Sequence, residues 1–100
     1  MVTPEAAEYI GDRGGRLYLW QEPVSKAWVT DHMAFIDPSR GTSFIPNWVG
    51  GVAVMLGEDL ELPPSVRISL SRIPRRLHIE WNGEPWGRRG GADLEGGGGG

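Results

Sequence analysis

Two alternating segments near the C-terminus constrain the fold more than any other feature of this 100-residue sequence. Apolar residues stand at every second position in residues 66–70 and again in residues 77–81, with polar residues between them. A period of two is typical of strands that have one buried and one exposed face. Residues 72–76 connect the two segments, and Asn82-Gly83 ends the second one with a turn signal. The sequence therefore predicts an antiparallel pair of strands with one buried face.

A short helix is predicted at the N-terminus, over residues 3–10. Thr3 can cap this helix, and Pro4 suits the first helical position because the N–H that proline lacks would be unpaired there. Gly11 is a typical helix-ending residue. The apolar face of the helix is expected to dock on a sheet.

Further segments are predicted to be strands or extended chain. Residues 16–20 are rich in side chains that favour strands. Residues 27–36 read as a second strand, bent or bulged at the polar residues 30–32. Residues 44–48 form a short extended piece, and the continuous apolar run of residues 51–56 predicts a strand covered on both faces. That last strand is expected at the centre of the sheet.

The predicted fold class is α+β, with the short N-terminal helix packed on a mostly antiparallel or mixed β-sheet or a small β-sandwich. Residues 1–86 are expected to form a single compact domain, because a chain of this size buries one modest core. Residues 87–100 are glycine-rich and predict a flexible tail, and the five terminal glycines are typical of a linker.

The absence of cysteine excludes several classes of site. Disulfides, thiol nucleophiles, thiolate zinc sites and cysteine-held iron-sulfur clusters all need sulfur. The stability of the fold must then come from packing, to which five tryptophans contribute. We expect neither a bound metal nor a cofactor.

The overall composition is that of a globular protein, with 39% hydrophobic and 23% charged residues. No apolar run approaches the roughly 18 residues that a membrane helix needs. The first residues lack the basic and apolar regions of a secretory signal. We therefore expect no membrane association and a cytoplasmic location.

The charge is uneven along the chain, although the net charge is only -3. Residues 1–66 carry four basic and nine acidic side chains, whereas residues 67–89 carry six arginines against two glutamates. An acidic pI near 5.3 argues against nucleic-acid binding as the main task. A protein partner or a homo-oligomer accounts for the arginines equally well.

Both histidines have a carboxylate close by in sequence, which makes these four residues candidates for catalysis. If the strands that carry them were close, they could form an acid–base site in a tryptophan-lined pocket. The alternative is that both histidines lie on polar strand faces at the surface. The sequence has no nucleophile elbow and no zinc-type spacing. The candidate catalytic residues are Asp31, His32, His78 and Glu80.

The C-terminal part also combines arginines with tryptophan, the two residue types favoured as anchors in protein interfaces. Trp20 and Trp81 are predicted to be core residues. Trp86 follows a turn and a proline, so it is the better candidate for a partner contact. The predicted interaction residues are Arg75, Arg76, His78, Glu80 and Trp86.

Three sequence segments resemble a known family. They are residues 2–10 (VTPEAAEYI), residues 14–20 (GGRLYLW) and residues 80–83 (EWNG). In these segments the chain is similar to the HesB-like family of A-type iron-sulfur carrier proteins. The resemblance covers the two ends of the chain better than its middle, and it implies a compact α+β or mainly β domain.

The chain departs from this family at the cluster ligands. Such carriers keep cysteines in the turn after the first strand and again just past the final strand, and here residues 22–27 and 83–86 contain none. The resemblance therefore implies the scaffold without the cluster chemistry. We expect a non-catalytic interaction or accessory domain that cannot hold a cluster. The alternative is a small enzyme or ligand-binding protein that uses the two histidine–carboxylate pairs.

Overall fold

The computed structural model describes residues 1–38, 41 and 43–87, and in these residues the chain forms one helix and seven strands in two sheets. One sheet has the order β2-β1-β4-β3, with β1 and β4 parallel and the outer strands antiparallel to them. The other is the antiparallel sheet β5-β6-β7. The predicted α+β class is confirmed. The elements are α1 (Pro4–Gly11), β1 (Arg16–Pro23), β2 (Val29–Ala34), β3 (Phe44–Val49), β4 (Val52–Gly57), β5 (Val66–Arg72), β6 (Arg75–Trp81) and β7 (Glu84–Pro85).

Helix α1 begins as the sequence predicts. Thr3 has an extended backbone, and its Oγ1 accepts a hydrogen bond from the Ala6 amide at 3.2 Å. Pro4 occupies the first turn, and the helix runs one residue further than predicted, with Asp12 as its C-cap. Ala6 and Ile10 are fully buried, so this face of the helix docks on the two sheets.

Replacing Thr3 with alanine is expected to lower the free energy of unfolding by about 1 kcal/mol, because the Ala6 amide loses its acceptor. Thr3→Ser keeps the hydroxyl and serves as the matched control. Urea unfolding followed by circular dichroism measures both changes. Equal losses in the two variants would show that the threonine methyl group, rather than the cap, stabilises the helix.

The inner faces of the two sheets meet in one core. Leu19 pairs with Leu56 on the inner face of the first sheet, and Ile68 pairs with Ile79 on the inner face of the second. Each is at most 3% exposed, and all four belong to one buried cluster. The alternation that predicted a half-buried hairpin is confirmed in β5 and β6, which are joined by the two residues 73–74.

Strand β4 is buried on both faces, as its apolar sequence predicts. Its inner side chains belong to the core, whereas on the outer face of the first sheet Gly57 leaves room beside its cross-strand neighbour Phe44. The Phe44 ring meets the rings of Tyr18 and Trp20 edge-to-face, with centroids 5.1 Å and 6.1 Å apart. These contacts bury two aromatic side chains of β1 outside the main core.

The predicted bulge in the second strand is wrong. Strand β2 pairs with β1 residue by residue across the whole polar segment 30–32. Its polar side chains bond to the facing strand: Gln21 donates to Asp31 Oδ1 at 2.7 Å, and the Thr30 hydroxyl donates to the Glu22 carbonyl at 3.3 Å. Because these groups find partners in a regular ladder, no extra residue is needed.

Parts of the chain outside the main strands cover two strand edges. The Thr3 amide donates to the Ile68 carbonyl at 2.9 Å, so the N-terminal residues continue the sheet beyond β5. At the edge strand β2, the Trp86 indole N–H donates to the His32 carbonyl at 3.1 Å. Covered edges reduce unwanted strand pairing with other chains.

The predicted loop positions 39, 40 and 42 and residues 88–100 of the predicted tail lie outside the described residues. The first residue of that tail, Gly87, is described and donates its amide to Asp31 Oδ2 at 3.1 Å. Within the described part of the chain, no helix has the length and apolar character needed to cross a bilayer.

Candidate interaction surface

The two predicted histidine–carboxylate pairs do not form a shared site. The side chain of His32 lies on the outer face of the first sheet, beside Trp20. His78 and Glu80 are exposed on the outer face of the second sheet, because they alternate with the core residues of β6. The two sheets pack about 10 Å apart through their inner faces, so the sandwich lies between His32 and His78. Asp31 alternates with His32 along β2, so its side chain lies on the other face of the first sheet, beside Gln21. The expected common pocket lined by both histidines is therefore wrong.

His32 belongs to a small polar and aromatic cluster. Its ring stacks on Trp20, with centroids 5.3 Å apart and an interplanar angle of 13°. Its Nε2 lies 2.9 Å from Thr30 Oγ1 and 3.5 Å from Glu22 Oε1. The Trp20 indole N–H donates to the other carboxylate oxygen of Glu22 at 3.0 Å. The cluster joins β1 to β2 through side chains as well as through the ladder.

His32 is held in this cluster by groups of both strands. The Thr30 hydroxyl lies within hydrogen-bond distance of the Glu22 carbonyl, at 3.3 Å, and of His32 Nε2, at 2.9 Å. Whether Thr30 or His32 donates in the second contact depends on the tautomer of the imidazole. These contacts give the cluster a structural role in joining the two strands.

Asp31 and Trp86 together hold the C-terminal exit of the second sheet on the first sheet. Asp31 accepts hydrogen bonds from the Gln21 side chain and from the Gly87 amide. Trp86 is half-buried, and its ring centroid lies 4.9 Å from that of Trp81. Its indole N–H is bonded to β2. Trp86 therefore makes an internal contact between the two sheets, and its contact with a partner stays a prediction.

The described residues offer little space for a ligand within this region. A cleft of about 50 Å³ lies beside Trp20 and Gln21, against the chain that follows β4. This volume is of the order of one or two water molecules. Among the described side chains, no three histidine, aspartate or glutamate residues are grouped so that they could hold a metal ion.

Three predicted interaction residues share one exposed line on β6. Arg76, His78 and Glu80 all lie on the outer face of the second sheet. Arg75 faces the other way, and its guanidinium carbon is 5.3 Å from the centre of the Tyr9 ring. The predicted interaction residues therefore lie in three places. Three are on the outer face of the second sheet, Arg75 is beside helix α1, and Trp86 is half-buried between the two sheets.

One end of the sandwich gathers arginines around exposed isoleucines, and we call it the basic end. Ile73, at the tip of the β5–β6 hairpin, is 95% exposed. The four arginines at this end are all exposed. The basic end consists of Arg13, Ile36, Arg72, Ile73, Arg75 and Arg76.

Contacts around Tyr9 place these residues at the same end. The guanidinium carbon of Arg13 lies 3.5 Å from the centre of the Tyr9 ring. The guanidinium group of Arg75 contacts the same ring. Phe35 meets the same ring edge-on at 5.9 Å, which brings its exposed neighbour Ile36 to this end. Cation–π contacts with Tyr9 limit the motion of the Arg13 and Arg75 side chains.

No family model, no curated protein and no solved structure matches this chain. The resemblance to HesB-like carriers therefore rests on the sequence segments that suggested it.

The sequence identified Arg75 and Arg76 of the basic end as interaction residues, but it did not indicate Arg13 or the isoleucines beside these arginines. The signal was present in the hairpin connection, where Ile73 stands between Arg72 and Pro74. A large apolar residue at a two-residue turn between strands has no neighbour to cover it, because both flanking strands lead away from the tip. Ile36 gave no comparable signal, because the sequence predicts a strand over residues 27–36 that includes it. In the structure β2 ends at Ala34, and Ile36 lies beyond the strand.

Proposed function

We propose that this chain is a non-catalytic interaction domain that binds an acidic surface of a protein through its basic end. The observation that carries the proposal is the full exposure of Ile73 at a hairpin tip bordered by Arg72, Arg75 and Arg76. Strongly bound interfaces have a desolvated apolar centre and a polar rim, and arginine is enriched among their anchors.

The energetics favour binding at this tip. Moving an exposed isoleucine side chain out of water is worth roughly 1.5–3 kcal/mol. The hairpin ladder fixes the positions of Ile73 and of the strand ends that carry Arg72 and Arg75, so little backbone freedom is lost on binding. The arginines supply complementarity to carboxylates and accelerate the encounter.

Kinship with HesB-like carriers is part of the same proposal. The N-terminal helix on a two-sheet α+β domain is the kind of fold that the resemblance implied. The chain after β6 contacts β2, because Gly87 bonds to Asp31 and Trp86 bonds to His32. The carriers keep their cysteines in the turn after the first strand and just past the final strand, which here correspond to residues 22–27 and 83–86. With no cysteine in this chain, the proposed role is an accessory one without a cluster.

Binding of a glutamate-rich peptide with one central leucine tests the proposed function. We expect Arg72→Gln combined with Arg76→Gln to weaken binding by about tenfold, and Ile73→Ser to weaken it by a similar factor, because each removes roughly 1.4 kcal/mol of contact energy. Fluorescence anisotropy of the labelled peptide measures the dissociation constants at low and high salt.

Arg67→Gln is the matched control, because Arg67 is also exposed on β5 but lies at the far end of that strand from the tip. A second peptide, with the leucine replaced by glycine, should bind the wild type and the Ile73→Ser variant equally. Equal losses from Arg67→Gln and from the tip variants would refute the proposal, as would a wild type that binds neither peptide.

A further inference from the structure

We propose that the acidic surface is the opposite end of a second copy of this chain, so that copies associate head to tail. This inference rests on the proposed function, since it identifies the partner of the same basic end. It is carried by the complementarity between the two ends of the sandwich, each of which combines exposed apolar side chains with an excess of charges of one sign.

The acidic end is formed by two connections. Glu58, Asp59 and Glu61 follow β4, and Leu62 beside them is 38% exposed. The second connection is the tip of the β1–β2 hairpin, where Trp28 is 51% exposed. The cleft between Gln21 and residues 57–60 shows that both connections leave the first sheet on the same side.

The two ends lie at opposite limits of the strands. Strand β2 starts next to Trp28 at the acidic end and finishes at Ala34. The following residue, Phe35, contacts Tyr9, whose ring Arg13 and Arg75 of the basic end also contact. A strand of six residues spans about 20 Å, so the ends cannot reach each other within one copy.

The charges of the two ends are opposite in sign. The basic end has four arginines, and the acidic end has Glu58, Asp59 and Glu61. The apolar side chains Ile36 and Ile73 can meet Trp28 and Leu62 between these charges. A second copy therefore offers the acidic and apolar surface that the basic end requires.

The proposed contact is heterologous, because it joins two different surfaces. However many copies join, the open assembly keeps one free basic end and one free acidic end, so association extends with concentration unless the rotation closes a ring. Exposed charges are screened by salt, so the association should weaken as ionic strength rises.

Charge exchange tests this inference by sedimentation equilibrium at low salt, from micromolar to millimolar protein. One variant carries Arg72→Glu and Arg76→Glu, a second carries Glu58→Arg and Glu61→Arg, and a third carries all four changes. All four positions are exposed. The association constant of each of the first two variants should fall by about tenfold or more, since one end is then repelled by the other.

The fourfold variant should associate like the wild type, and an equimolar mixture of the two partial variants should do so as well. A fourfold variant that stays monomeric overturns the inference. A wild type that is monomeric at every concentration also overturns it, and if its basic end still binds the glutamate-rich peptide, the proposed function stands alone. Should a glutamate or arginine variant fail to fold by circular dichroism, the glutamine versions of the same positions replace it. Neutral side chains restore no charge pair, so each partial glutamine variant and the fourfold one should associate more weakly than the wild type, and unchanged association in all of them overturns the inference.

Discussion

The Trp86→Ala variant is expected to lose about 2–3 kcal/mol of unfolding free energy, a large share of what a domain of this size has. The substitution removes the ring that packs on Trp81 at 4.9 Å and the N–H that bonds to the His32 carbonyl. Replacing a fully buried tryptophan with alanine lowers the unfolding free energy further, and the smaller figure is expected here because Trp86 is half-buried. Urea unfolding followed by far-UV circular dichroism gives the free energy.

Two controls separate the contributions of Trp86. Trp86→Phe keeps an aromatic ring on Trp81 but loses the donor to His32, and is expected to cost about 1 kcal/mol. Trp48→Ala removes a tryptophan that is 74% exposed, and the free energy should change by no more than about 0.5 kcal/mol. A Trp86→Ala variant as stable as Trp48→Ala would mean that the C-terminal exit does not hold the two sheets together.

The strands could be predicted wherever their side chains alternate or form an uninterrupted apolar run. Strands β5 and β6 have a polar outer face and an apolar inner face, so the period of two is plain in the sequence. Strand β1 was predicted to end at Trp20, but it continues to Pro23. Its polar extension is stabilised by side-chain bonds from Gln21 to β2 and from β2 to Glu22, which local sequence patterns do not reveal.

The candidate site could not be predicted in the same way, because it depends on which faces meet. The alternation correctly placed His78 and Glu80 on the polar face of β6. It also placed His32 on one face of β2, but it could not tell whether the two polar faces point towards or away from each other. The core decides this: once Leu19 and Ile79 face inward, the histidines must face outward on opposite sides.

The role of Trp86 was also beyond local reasoning. A tryptophan after a turn and a proline has the sequence signature of an exposed anchor. Here the two-residue strand β7 turns the chain back along β6, and the Trp86 amide bonds to the Ile79 carbonyl at 2.8 Å. That bond directs the indole towards β2, more than 50 residues away in sequence. Such long-range contacts become visible only when the strand order is known.

The β3–β4 hairpin carries the other prediction with a large expected effect. Gly50 and Gly51 both have positive φ angles, +54° and +84°, which suit a two-residue turn. A Cβ atom on Gly50 would lie 3.0 Å from the Val2 Cβ and 3.3 Å from the Val2 backbone nitrogen, whereas a Cβ on Gly51 would meet no atom within 4 Å. We expect Gly50→Asn to cost about 2 kcal/mol through overpacking. Thermal or urea unfolding measures the loss.

Asparagine is chosen because it tolerates the left-handed backbone, so crowding rather than strain dominates the comparison. Gly51→Asn has the same chemistry in open space and is expected to change the stability by less than about 1 kcal/mol. Val2→Gly removes the two side-chain atoms that a Cβ on Gly50 would meet and leaves the Val2 backbone nitrogen at 3.3 Å, so in that background Gly50→Asn should cost about 1 kcal/mol less than in the wild type. A cost that persists in full there would place its origin in the turn or at the Val2 backbone. If Gly50→Asn costs less in the Val2→Gly background, the absence of a side chain at Gly50 makes room for Val2. Val2 belongs to the N-terminal segment, which covers the edge of β5 and contacts the β3–β4 turn.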